Sequence, residues 1–403
     1  MIAKDSSLIP AADQAAGPIK IGLMSDLHLE FEQGHRNRVL EKIRRGDPSL
    51  AAKALAAMRM RENEAGHPEN GPDLRALKQA AVDFVLLPGD IDVAGRGVRY
   101  ADAVAQYLGC PVYMCWGNHD GYGADLELLI AEGRRVEAET HGRVVVLERS
   151  RADLVVKGRK VAIYGATLWT DYYLASDLAS AMERAGRALN DHTRIRFGDE
   201  WLSPREALEI HLETKAWLEK ELMSPLGNDD VRVVISHHAP IPEAIPPRYR
   251  GDALSPAFAS DLRSEIEAWK PDLWVWGHTH NSMETRVGAT RMVSAQRGYV
   301  GVEPGAESFV PVILEIWDEP RIGGGARPAL SRRAWPCCGT DARAALVVRR
   351  ASKRLVSLGR RDMRGADGAG TGNRRMAEAA DPARRRARGD PVLRSPLNGR
   401  VCV

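Results

Sequence analysis

Five short apolar runs in this chain each break off into a group of Asp, Asn, Gly and His residues. That repetition limits the possible folds more than any other feature. IKIGLMSDLHLEF starts at Ile19 and runs into Asp26-Leu27-His28, and DFVLLPGDI ends in Gly89-Asp90. PVYMCWGNHD ends in Gly117-Asn118-His119-Asp120, VRVVISHHAP carries His237-His238, and PDLWVWGHTH ends in Gly277-His278-Thr279-His280. Short apolar runs bounded by such turn residues read as buried strands. RVVVLER, KVAIYGATLWT, TRMVSAQRGY and PVILEIW add further strand candidates. Between them lie helical stretches: LAAKALAAMRMRENEA, and material from about Asp177 to Met223 in which SPREALEIHLETKAWLEKEL is amphipathic. Strands alternating with helices predict an α/β architecture. In such sheets, sites assemble where the carboxyl ends of strands converge. All five polar groups are therefore expected to meet on one edge.

Charge divides the chain into two pieces. Residues 321–403 hold 20 Lys or Arg against 6 Asp or Glu, whereas residues 1–320 hold 37 against 48, so the net +3 averages a body at −11 and a tail at +14. The tail is rich in Gly, Ala, Pro and Arg, has Trp335 as its one aromatic residue, and has too few apolar residues to bury a core. We read 1–18 as a flexible lead-in, 19–320 as the folded domain with a helical insertion at about 34–79, and 321–403 as a disordered tail. The insertion either caps the pocket or decorates the periphery. No run approaches the roughly 18–20 apolar residues needed to span a bilayer, and MIAKDSSLIPAADQAAGPIK lacks the apolar core of a secretory leader. Cys110, Cys115, Cys337, Cys338 and Cys402 form an odd set without a CxxC pair. That argues against a disulfide framework or a zinc–thiolate site, and the expected compartment is the reducing cytoplasm.

Carboxylate, imidazole and amide oxygen without thiolate suit Mn²⁺, Fe or Zn²⁺ at a catalytic site. The number of such residues exceeds the needs of one ion. It suits two, about 3.5–4 Å apart and sharing a carboxylate. Taken singly, Asp26, His28, Asp90 and Asn118 have an ordinary explanation as loop or cap residues. The ordered set does not.

The ordered blocks DLH, GD, GNHD, SHHAP and GHTH resemble the calcineurin-like metallophosphoesterases over roughly Ile19 to Trp317. SPAFASDL, GHTHNSMETRVGATRM with QRGY, GATLWTDYY and LNDHTRIRF are similar to segments of bacterial members with unassigned substrates. The resemblance implies a four-layer α/β/β/α sandwich of two mixed sheets, with a binuclear metal site at the carboxyl ends of the strands. It implies Asp26, His28 and His280 on one divalent ion, Asn118, His237 and His278 on the other, and Asp90 bridging them. A metal-bridging hydroxide would attack a phosphate mono- or diester in line. His119 would stabilise the transition state or protonate the leaving oxygen, with Asp120 orienting it.

His237 and His238 compete for one ligand position, because adjacent residues leaving a strand point opposite ways. The family order favours His237. His35, His67, His141 and His211 read as surface or satisfied polar residues. Asn190, Asp191 and His192 in LNDHTRIRF, together with Arg250, Arg297 and Tyr299, are candidates for lining the substrate pocket, against surface roles for each. Trp274 and Trp276 read as core, and Cys110 and Cys115 as buried small hydrophobes. The competing function is a nucleic-acid-binding protein or nuclease whose Arg-rich tail holds phosphate backbones. Neither reading calls for a membrane.

Overall fold

The computed structural model describes residues 17–32, 34–35, 65–225 and 231–317. The 321–403 tail, most of the 34–79 segment and all but the end of the 1–18 lead-in lie outside the described residues.

In chain order the strands are β1 Ile19–Leu23, β2 Phe84–Leu87, β3 Val112–Met114, β4 Val144–Val146, β5 Ser150–Val156, β6 Arg159–Ala166 and the short pair β7 Arg196–Phe197 and β8 Glu200–Trp201. There follow β9 Val231–Ser236, β10 Leu273–Trp276, β11 Met283–Val287, β12 Thr290–Ser294 and β13 Val312–Ile316. The helices are α1 Arg75–Ala80, α2 Gly97–Leu108, α3 Leu126–Glu139, α4 Leu178–Ala188, α5 Asp191–Arg194, α6 Pro204–Leu222 and α7 Arg263–Trp269. One sheet has the order β13-β1-β2-β3-β4 and the other β11-β12-β10-β9-β6-β5. The interior strands are parallel, and β13, β5 and β11 join antiparallel at the edges, so both sheets are mixed.

Alternation along the strands sets the layers. Ile21, Leu23, Phe84 and Leu86 of the first sheet pack against Ile163, Val233, Ile235, Leu273 and Val275 of the second. The intervening residues face outward. Val85, Leu87 and Met114 meet Val98 and Val104 of α2, while Val234, Trp274 and Trp276 meet Leu218 and Leu222 of α6 and Ile266 and Trp269 of α7. Each interior strand is thus apolar on both faces, as covered parallel strands are. The result is the expected four-layer sandwich. Truncating a fully buried anchor such as Trp274 to Ala should cost about 3–5 kcal/mol.

Local signals explain the helix bounds. Ser203 and Glu206 form a reciprocal capping box at the start of α6, with Pro204 in its first turn. Asp125 caps α3 by accepting from the Glu127 and Leu128 amides. Among the described residues, no helix is long and apolar enough to cross a membrane.

Three elements depart from the sequence reading. The stretch expected to be helical from Asp177 to Met223 is broken by the β7–β8 hairpin, whose turn uses Gly198 at φ +62°. Strands of two residues are too short to carry a period. β5 and β11 went unread because they are edge strands alternating exposed and half-buried positions, with Arg151, Asp153, Glu284 and Arg286 among them.

Candidate metal centre

Parallel strands of both sheets deliver the five polar groups to one edge, and backbone hydrogen bonds between loops lock them together. The Asp26 amide donates to the Gly89 carbonyl (3.1 Å), His28 to Asp90 (3.1 Å), Gly277 to His237 (3.0 Å) and Gly298 to Asp26 (3.0 Å). Asp26, His28, Asp90, Asn118, His237 and His278 are all buried. The glycines permit close approach. A Cβ on Gly117 would lie 2.1 Å from Asp90 Oδ1, and one on Gly277 would lie 2.6 Å from Asp26 Oδ2.

Two groups of side chains that could each hold a metal ion result, Asp26 with His28 and His280, and Asp90 with His237 and His278. His28 Nε2 faces His280 Nε2 at 3.0 Å, and Asp26 Oδ1 is 3.6 Å from His280 Nε2. Asn118 Oδ1 lies 2.9 Å from His237 Nε2 and 3.1 Å from His278 Nδ1. Asp90 Oδ2 stands between the groups, 3.7 Å from His28 Nε2 and 3.4 Å from His237 Nε2. His238 turns the other way. Its Nδ1 lies 3.2 Å from the Thr167 carbonyl and its ring lies over Trp169.

Outer partners fix the tautomers. His237 Nδ1 donates to the Pro88 carbonyl (2.8 Å), which can only accept, so Nε2 is the nitrogen that faces the oxygens of Asn118 and Asp90. His280 Nδ1 donates to Glu303 (2.7 Å) and His28 Nδ1 to Glu30 (3.2 Å), which leaves their Nε2 lone pairs facing each other. The Asn118 amide nitrogen donates to Asp191 (2.9 Å), fixing its oxygen toward the histidines. The facing lone pairs of His28 and His280, and imidazole nitrogens gathered on carboxylate and amide oxygens in a buried site, suit cations between them, and such outer contacts are typical of metal-ligating histidines. The donor set therefore fits a pair of divalent ions.

Electrostatics carry the same signature. Burial lowers the His237 pKa, but the charge and hydrogen bond of Asp90, the charge of Asp26 and the Pro88 carbonyl together outweigh it and raise the imidazole to about 9. Burial would raise Asp90, yet the charges of His237 and His119 hold it well below its ordinary value. Asp26, for which burial dominates, is raised. Partial burial would raise Glu30, but hydrogen bonds from His119 and His28 hold it down at about 2.

His119 packs between Tyr122 (4.3 Å) and His28 (4.4 Å), with Nδ1 against Glu30 Oε1 (3.1 Å) and Nε2 against the Tyr299 hydroxyl (3.2 Å). The expected orienting role of Asp120 needs correction. Asp120 Oδ2 accepts from the amides of Asp90 and Gly117, both at 2.8 Å, and Oδ1 from that of Asp92 at 3.4 Å. It ties two loops together, because the tight turn His119–Gly121 sends neighbouring side chains in different directions. Glu30 is the carboxylate that meets His119, at Nδ1.

The pocket candidates separate. Asp191 accepts from Asn118 and Tyr122, and Tyr299 lies against His28, His119 and His280. Asn190 flanks the start of α5, where its carbonyl accepts from the Thr193 amide. His192 is turned to the Leu202 carbonyl (2.8 Å). Arg297 is buried, pairing with Glu32 (2.6 Å) and donating to the Ala306 carbonyl. Arg250 is exposed on a groove of about 590 Å³ that also includes Arg184 and Asp177. Glu30, Glu303 and Tyr122 were missed by sequence reasoning. Nothing in their spacing marks them, although Glu30 lies just two residues beyond His28.

A family model described as calcineurin-like phosphoesterase matches residues 19–282. No curated protein matches the chain. Among solved structures, the chain is similar to the phosphopantetheinyl hydrolase of Mycobacterium tuberculosis, at 15% identity over 76% of this chain and 98% of that one, with a TM-score of 0.46. A dimetal phosphatase from Danio rerio is similar at 12% identity over 75% and 94%, TM-score 0.42. A novel archaeal phosphodiesterase is similar at 11% identity over 74% and 99%, TM-score 0.28.

Proposed function

This chain belongs to the calcineurin-like phosphoesterase family, and from that premise we propose that it is a binuclear metal-dependent hydrolase of phosphate mono- or diesters. Asp26, His28 and His280 would hold one ion, Asn118, His237 and His278 the other, with Asp90 shared. The observation that carries this reading is the convergence of imidazole nitrogens on Asp90, Asn118 and one another, with the far nitrogens of His28, His237 and His280 each held by an outer acceptor.

Two bound divalent cations would supply a water acidified toward neutral pH and would offset charge on the phosphoryl oxygens. The protein does the remainder. The buried carboxylates hold the site's negative charge in a dry, preorganised setting, where electrostatic effects are strongest. Glu30 holds His119 by Nδ1, so Nε2 is the atom from which a proton reaches the leaving oxygen. The Tyr299 hydroxyl, against that Nε2, fixes the ring from the other side.

The test is hydrolysis of p-nitrophenyl phosphate and bis(p-nitrophenyl) phosphate by protein loaded with Mn²⁺, Fe or Zn²⁺. Asp90→Ala should lose both metal retention and turnover. His119→Ala should keep metal and lose about 10²–10⁴ in kcat. Wild-type turnover in Asp90→Ala, or no hydrolysis with any metal, would overturn the proposal.

A further inference from the structure

We propose that the loop after β9, together with Thr279, forms an apolar subsite for the leaving group, so that preferred substrates are phosphate esters of small branched or cyclic hydrocarbon alcohols. This inference rests on the phosphoesterase reading and adds the substrate class. Ile245, Pro246, Tyr249, Leu254, Phe258 and Thr279 line a pocket of about 110 Å³. Thr279 lies between His278 and His280, so the pocket abuts the turn that contributes to both ligand groups. The Phe258 ring stacks on His278 at 5.0 Å and 21° while also walling the pocket. A group seated there therefore lies against the turn that carries His278 and His280.

The wall is preformed and chemically one-sided. Tight turns at Pro242–Ala244, Pro247–Tyr249 and Ser255–Ala257 shape the loop, and a bridge between Ala239 and Ala259 closes its base. Three polar side chains of the lining turn to other partners. Ser255 Oγ donates to the Tyr249 carbonyl (2.6 Å), Asp252 Oδ1 accepts from the Leu254 amide (2.8 Å), and Thr279 Oγ1 accepts from Gln296 (3.3 Å). A hydrocarbon gains by leaving water for such a wall, whereas a hydroxyl would lose hydrogen bonds there. Volume sets the size. A dry cavity of about 150 Å³ holds benzene, so this one suits about four or five carbons and excludes a nucleobase.

The experiment uses the Mn²⁺-loaded full chain. Methyl-, ethyl-, propyl- and isobutylphosphonate, whose P–C bonds resist cleavage, are titrated by calorimetry, and hydrolysis of the matching phosphate monoesters is followed by phosphate release. We expect Kd to fall and kcat/KM to rise by about fourfold per buried carbon, and 2,3-dihydroxypropyl analogues to gain nothing over methyl. Tyr249→Ser, at a half-exposed position, and Leu254→Asn should each flatten the dependence below twofold per carbon. A flat series in the wild type, with methylphosphonate still bound, overturns the subsite and leaves the phosphoesterase reading standing. An unchanged slope in both variants overturns its location. Failure to bind any phosphonate or cleave any ester overturns both readings.

Discussion

Replacing Gly277 by Ala isolates how closely the two sheets must meet to build the centre. The added Cβ would stand 2.6 Å from Asp26 Oδ2, 2.6 Å from Ser25 Oγ and 2.8 Å from the Pro88 carbonyl. Ordinary contact begins near about 3.5 Å, so something must yield by roughly 0.9 Å. None of the three neighbours is the free end of a flexible chain. Asp26 is wholly buried and held by the His278 amide (2.7 Å) and by Ser25 Oγ. Gly277 itself lies outside the left-handed region, so the effect is steric rather than conformational. Overpacking of this kind costs about 1–3 kcal/mol, or roughly 2–12 °C in Tm for a domain of this size. The functional loss should be larger, because ligand positions tolerate only about 0.2 Å. We expect at least about 100-fold weaker Mn²⁺ binding by calorimetry, with turnover lost in step. Gly109→Ala is the control. Its φ is +74° with no atom within 4 Å of the added Cβ, so it should cost about 1–2 kcal/mol and leave metal binding intact. Wild-type metal affinity in Gly277→Ala would refute the reasoning.

Three further outcomes are expected. Glu30→Ala leaves the Nδ1 donors of His119 and His28 without their carboxylate, so kcat should fall about 10–100-fold, while Glu30→Gln, which still offers an acceptor, should lose less in the same steady-state assay. His238→Ala should destabilise the fold by about 1–3 kcal/mol yet keep metal, whereas His237→Ala should lose metal; equal metal loss in both, measured by metal analysis, would refute the opposed orientations. Burial lowers the pKa of His211, so below the unfolded value of about 6.5 the unfolded chain binds the extra proton, and stability present above that pH is lost as pH falls. Denaturant titrations should show His211→Gln less pH-sensitive below pH 6.5 by up to about 1.4 kcal/mol per unit.

Much of the fold was legible because interior strands such as VRVVIS and LWVW are apolar on both faces, and their polar endings stand out from that background. β5 and β11 were not, because an edge strand with one solvated face reads like a charged loop. In the site, the candidate ligands were legible as residue types at strand ends. Their supports were not. Glu30, Glu303 and the Pro88 carbonyl act through contacts that depend on loop paths, and a carboxylate or a carbonyl carries no spacing signal. Asp120 shows the converse. Sequence adjacency made it a partner for His119, whereas the turn gave it to the amides of Asp90 and Gly117.

Backbone conformation explains why these loops hold such residues so tightly. Asp26 (φ 52°), His28 (46°), Asp90 (54°), His278 (74°) and His280 (47°) all lie in the left-handed region. Each strand must turn sharply at its end to bring its candidate ligand back over the sheet edge, and positive φ makes that turn. Asp and His tolerate this conformation better than most residues but still pay for it, at about 1–2 kcal/mol each. Five such residues together approach the roughly 5–15 kcal/mol net stability of a whole domain. The strain persists because no loop can relax alone. Relaxing Asp26 would break its amide bond to Gly89 and the Gly298 bond to its own carbonyl, and relaxing His28 would break the bond to Asp90. The candidate ligand positions are thus fixed by mutual constraint between loops of both sheets. It follows that glycine at any of these five positions would relieve backbone strain while removing a candidate ligand, which separates the stability of the fold from the integrity of the site.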